Sequence, residues 1–140
     1  MRRLLQCKIN RPSPVMSPVL CQESLVPKYL FIFGFETPAM MKSNREWNSD
    51  FEDSNSVFIE AANEADAIQC GRTMANQFFV AVHKSHSPCV DDYAHWIAEN
   101  PEEEFGVDAL IRLPTVDCRD SDLCRRVVDE WISEVPNHND

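Results

Sequence analysis

Residues 28–38, K-Y-L-F-I-F-G-F-E-T-P, decide the fold. Tyr29 to Phe33 is a nearly continuous apolar run with aromatic and β-branched members. Such a run marks a strand buried on both faces, because a half-exposed strand alternates apolar with polar residues. Gly34 ends the densest part and Pro38 closes it. Thr37 is placed to cap a helix, with Pro38 in its first turn, where the missing amide proton is of no consequence. The spacing predicts a short helix within residues 36–48, followed by a polar loop, N-S-D-F-E-D-S-N-S, over residues 48–56.

Further along, S-V-F-I-E-A-A (Ser56 to Ala62) reads as the second strand. Asn63 offers the next helix cap, and Glu64 and Asp66 follow in the first turn, where the helix dipole favours negative charge. A helix is predicted from Glu64 to about His83, with Ala67, Gly71, Met74 and Phe78 on one stripe and Ile68, Ala75, Phe79 and Val82 beside it. Gly71 inside it costs about 1 kcal/mol relative to alanine. That cost predicts close approach of the helix to the sheet or to a neighbour. The segment Y-A-H-W-I-A-E-N-P (residues 93–101) fits both periodicities; a strand is preferred because Asn100 and Pro101 would leave a very short helix. A further strand is predicted over Ala109 to Leu113. The last element is a helix capped by Asp117 or Asp120, carrying Leu123, Val127, Val128, Trp131 and Ile132 on one face and ended by Pro136. The expected architecture is an α/β (α+β) two-layer sandwich, about four short strands covered by two main helices, over residues 28–136. The strand–helix–strand pieces are expected to cross over right-handedly.

Residues 1–27 differ from the rest. They hold Pro12, Pro14, Pro18 and Pro27 together with most of the local positive charge, and are expected to be a disordered basic tail or the product of a start assigned ahead of Met16. Residues 1–28 carry five basic groups against Glu23, net +4; residues 29–140 carry eight basic and twenty-two acidic groups, net −14. An acidic body repels phosphate backbones, so nucleic-acid binding is disfavoured, and a basic protein partner, a cation or simple solubility fits better. No apolar run is long enough to span a membrane. The six cysteines are expected to be free thiols in a reducing, cytoplasmic compartment, since Gln6, Lys8, Asn10 and Arg11 interrupt any apolar export segment.

Candidate chemistry concentrates in H-K-S-H-S-P-C-V-D-D-Y-A-H, residues 83–95. His83, His86, Cys89 and His95 are ligand types that zinc accepts in a tetrahedron. The spacing lacks the C-x2-C or H-x3-H pair of tight sites, and the helix dipole accounts for a histidine at position 83, so a solvated loop is the preferred reading. Cys118 and Cys124 flank the start of the last helix, where a thiol pKa can fall, but Asp117, Asp120 and Asp122 oppose that; Cys124 is expected in or near the core. No C-x-x-C, G-x-S-x-G or glycine-rich phosphate loop is present. Asp50, Glu52 and Asp53, Asp91 and Asp92, and Glu102, Glu103 and Glu104 form acidic clusters, read as solvated because the glycine of a calcium loop is missing. No catalytic, cofactor-binding or metal-ligating residue is therefore assigned, and no cofactor is expected.

The pieces Y-L-F-I-F-G-F-E-T-P, D-F-E-D-S-N-S-V-F-I-E-A-A-N-E-A-D-A and Y-A-H-W-I-A-E-N-P resemble a group of small uncharacterised bacterial proteins that share an F-G-F-E-T-P turn, a D-F-E-x-S loop and a V-F-I-E-A strand. The resemblance covers Tyr29 to Pro101 and implies a fold unit, with no activity attached. In those pieces Glu36 follows the first strand while Asp50 and Glu52 precede the second, so neighbouring strands would gather them into an acidic rim with Trp47. Such a rim suits a basic protein partner. The plainer alternative, and the preferred one, has Glu36 capping the short helix and Trp47 packing over it. Two functions stand on this reading: a non-enzymatic interaction or regulatory protein, which is preferred, and a small metal-dependent or thiol enzyme built on His83, His86, Cys89 and His95.

Overall fold

The computed structural model describes residues 26–84 and 88–136. Most of the predicted tail, together with His86, lies outside them. The predicted first strand is β1, Lys28–Phe35, buried on both faces from Leu30 onward. It occupies an inner position in a four-stranded sheet of order β3-β1-β2-β4, where β2 is Asp53–Glu60, β3 His95–Ile97 and β4 Thr115–Asp117. β1 pairs antiparallel with β2 (Phe35 opposite Asp53, Lys28 opposite Glu60) and with β3, while β2 and β4 run parallel.

Two expectations change here. The helix α1, Pro38–Trp47, joins antiparallel strands, so it caps one end of the sheet and makes no crossover. The second strand begins at Asp53 and takes in half of the predicted polar loop. Register explains this: Asp53 and Asn55 lie opposite Phe35 and Phe33 with their backbone turned to β1, which supplies hydrogen bonds that a polar sequence accepts as readily as an apolar one.

The helix α2, Glu64–His83, matches its predicted span, and Asn63 caps it by accepting from the Asp66 amide at 2.8 Å. Gly71 has the predicted role: a Cβ there would run into the Phe31 ring, so glycine lets α2 lie directly on the sheet. Two short helical segments follow, α3 (Pro101–Phe105) and α4 (Val107–Leu110). The helix α5, Ser121–Glu134, is capped by Asp120, which accepts from the Leu123 amide at 3.1 Å. The strand predicted over Ala109 to Leu113 is thus helix and turn; β4 starts only after Pro114, whose carbonyl accepts the Phe58 amide. Leu110 and Leu113 sit three apart and pack toward Leu30 and Ile32, a helical pattern that the short apolar run concealed.

Helices α2 and α5 cover one face. Phe33 lies at its centre, with Phe78, Phe79 and Trp131 edge-on at 5.8, 5.8 and 5.4 Å. Two main helices over four short strands is the architecture expected from the sequence. Among the described residues no helix is long and apolar enough to cross a membrane.

Candidate functional site at the acidic end of the sheet

The antiparallel register brings the end of β1 and the start of β2 together, and the segments flanking Phe35 and Asp53 carry Glu36 and Glu52. A Cβ on Gly34 would lie 2.8 Å from the Glu52 carboxylate, so that side chain reaches across the glycine. Glu36 is half-buried and collects groups from three other parts of the chain. Asn44 of α1 donates its amide to one carboxylate oxygen, Oε2. The Tyr93 hydroxyl donates to the other, Oε1, at 3.0 Å. His83, at the end of α2, donates from Nε2 to the Glu36 backbone carbonyl at 2.8 Å. The Tyr93 ring stacks on Phe79 at 5.4 Å and 11°. Burial, then the hydrogen bond to Glu36, then the charges of Glu36, Glu52 and Asp92 push the Tyr93 hydroxyl up to about 12.

Asn44 is buried and uses its whole amide. Its Oδ1 accepts from the Ser49 hydroxyl at 2.9 Å and the Phe51 amide at 3.1 Å, and its Nδ2 donates to the Phe51 carbonyl at 2.9 Å as well as to Glu36. With Asn48 in the left-handed conformation (φ 52°) closing α1, these bonds fix the loop 48–52. The end of α1 presents Trp47, 77% exposed, and the fixed loop presents Phe51, 72% exposed, with the exposed acids Glu46, Asp50, Glu52 and Asp53 along the same stretch. The alternative arrangement is corrected on both points: Thr37, not Glu36, caps α1, accepting from the Met40 amide at 3.1 Å, and Trp47 does not pack over the helix.

The histidines of residues 83–95 go separate ways. His83 is committed to Glu36. His95 accepts at Nε2 from Arg72 (2.9 Å) and donates from Nδ1 to the Tyr93 carbonyl (3.1 Å), which fixes its tautomer. Arg72 also holds Asp91 in a two-bond ion pair at 2.6 and 3.0 Å, and this hydrogen bonding keeps the Asp91 carboxyl below its usual range. Asp92 accepts from the Cys89 amide, and the Cys89 side chain is exposed. Among the described residues no group of three His, Cys, Asp or Glu side chains is arranged to hold a metal ion.

A second grouping went unread in the sequence. Cys70 of α2 meets Cys124 of α5, Sγ to Sγ at 3.9 Å, and Cys118 joins them around a cavity of about 340 Å³. Burial above all, with Cys124 beside it, pushes the Cys70 thiol up to about 12, and burial also raises Cys124. These groups are protonated at neutral pH and poor nucleophiles. Cys124 is in the core, as expected. The partner Cys70 lies beside the apolar stripe of α2, a visible signal, but only the packing of α2 on α5 supplies the meeting.

No protein-family model, curated protein or solved structure matches the chain.

Proposed function

We propose that the protein is a non-enzymatic interaction module that binds a basic segment of a protein partner at the acidic end of its sheet. The observation that carries this reading is the pair Trp47 and Phe51, both large and exposed, Trp47 at the last position of α1 and Phe51 on the loop that buried Asn44 holds through the Phe51 backbone. Aromatic side chains presented rigidly lose little entropy on binding and are favoured interface anchors. The carboxylates around them select a basic partner and speed its encounter. The net charge of −14 over residues 29–140 acts in the same direction. A reducing, cytoplasmic setting fits the free thiols of Cys70, Cys89, Cys118 and Cys124. The resemblance to small bacterial proteins is part of the same proposal.

The test uses synthetic lysine- and arginine-rich peptides titrated by isothermal calorimetry, a readout that does not depend on Trp47 itself. Binding should weaken with added salt, and Trp47→Ala should weaken it about thirtyfold. Peptide binding that is indifferent to Trp47→Ala and Phe51→Ala would remove the loop from the interface. Stoichiometric metal in the purified protein, lost on replacing His86 and Cys89, would favour the enzyme reading instead.

A further inference from the structure

The neighbours of β2 on its outer side cover only part of it. β4 pairs with Phe58, Ile59 and Glu60, leaving Asp53 to Val57 without a strand partner on that side among the described residues. The direction of the unpaired groups follows from the ladder. The Phe58 amide and the Glu60 carbonyl bond to the β4 segment, so the even-numbered residues of β2 turn their backbone outward. Ser54 and Ser56 therefore face the open edge. The outward Ser54 amide is satisfied by its neighbour, Asp53 Oδ1, at 2.8 Å. Among the described residues, the Ser56 amide and the Ser54 and Ser56 carbonyls have no backbone partner on that side. No proline, lysine or bulge guards this edge; its sequence is D-S-N-S-V.

Beside the edge is a cavity of about 240 Å³ lined in part by Thr37, Asp53, Asn55, Trp131 and Glu134. The Nδ2 of Asn55 is buried and has no hydrogen-bond partner among the described residues. An unmatched buried donor is uncommon and costs stability, so a ligand that supplies an acceptor there recovers a hydrogen bond without paying to uncover one.

We propose that this edge takes an extended basic segment by strand addition, with an asparagine or glutamine side chain of that segment entering the cavity. The backbone of the segment would exchange hydrogen bonds with Ser56 and reach the Ser54 carbonyl. Its inward carboxamide would offer its carbonyl oxygen to Asn55 Nδ2 and its amide NH2 to the carboxylates of Asp53 and Glu134, a combination that neither a purely cationic nor an apolar side chain provides. The positive charge of the segment rests on the function proposed above; the edge and the cavity do not depend on it.

The probe is a seven-residue peptide of lysine and valine with a central glutamine, added to the full chain and followed by amide hydrogen exchange. The Ser56 amide should become protected, and replacing the glutamine by leucine should weaken binding about tenfold. Ser56→Pro removes the outward donor while sparing the β1 ladder, and should abolish binding. An unprotected Ser56 amide at saturating peptide, or equal affinity for the leucine peptide, overturns the proposal even if Ser56→Pro fails to fold. The two readings separate cleanly. Protection confined to residues 47–52 sinks strand addition and leaves the aromatic loop standing. Protection of Ser56 with no effect of Trp47→Ala does the reverse.

Discussion

The two faces of the sheet are built to different standards. On the face beneath α2 and α5, Phe31 and Phe33 are fully buried, and Phe33 interlocks edge to face with Phe78 and Phe79 of α2. On the other, Leu30 and Ile32 are also buried, but their cover is Ala98, Leu110 and Leu113 from short segments, and Trp96, Phe105, Val107 and Ile111 remain exposed around them. One strand supplies both sets of residues, so the difference lies in what the chain returns to lay over each face. A twenty-residue helix brings a continuous apolar stripe. The four-residue helix α4 and its turn bring only Leu110 and Leu113. Packing strength therefore belongs to the covering element as much as to the strand.

The most severe way to break this comparison is to hollow the helix-covered face. Phe33→Ala should cost about 3–5 kcal/mol, whereas Leu110→Ala on the thin face should cost about 2 kcal/mol, both read from urea unfolding at constant slope. Equal costs would mean that the two faces are equally well packed. Gly71→Ala sharpens the comparison by pressing a methyl group onto Phe31. The overpacking penalty of about 1–3 kcal/mol should exceed the roughly 1 kcal/mol that alanine returns in helix propensity. A stabilised Gly71→Ala protein would show that α2 can lift from the sheet at little cost.

The smallest effect belongs to Tyr93, where the packed face meets the acidic end. Its hydroxyl is raised from 10.0 to about 12 by burial and by Glu36. A raised pKa contributes stability that is complete below the unfolded value and lost as pH rises through the folded one. The wild-type advantage over Tyr93→Phe should thus hold up to about pH 10 and shrink toward pH 12, as measured by unfolding in matched buffers. Cys70, raised from 9.0 to about 12, shares the same sign and contributes its own decline in both proteins. An advantage independent of pH across that window would mean that Glu36 and the burial of the ring do not act on the hydroxyl.

Much of the candidate site could be read in the sequence as separate pieces. Thr37, Asn63 and Asp120 cap the helices they were expected to cap, because capping is a contact over three residues. The rim of Glu36, Asp50 and Glu52 with Trp47 is the less favoured of two sequence readings, yet the strand pairing does bring Glu36 and Glu52 to the same end. The role of Asn44 was not visible. An asparagine in a helix interior has no periodic signature, and its four hydrogen bonds exist only once the loop has folded back over it. The short run at Ala109 to Leu113 suggests a strand but folds as helix and turn, because a few apolar residues fit a buried strand and a helical turn equally well.

The sequence by itself determined the local elements: the doubly buried strand at Tyr29 to Phe33, the stripe of α2, the glycine at its point of closest approach, and the charge of the body. Tertiary structure alone decided that β1 and β2 run antiparallel, that Glu36 would receive Asn44, Tyr93 and His83, that Cys70 would meet Cys124, and that Asp53 to Val57 would have no outer strand among the described residues. The physical reason is range. Caps and helical periodicity act over three or four residues and are written in adjacent letters, whereas strand partners and side-chain encounters across 47 to 57 residues depend on which of several apolar surfaces close on one another.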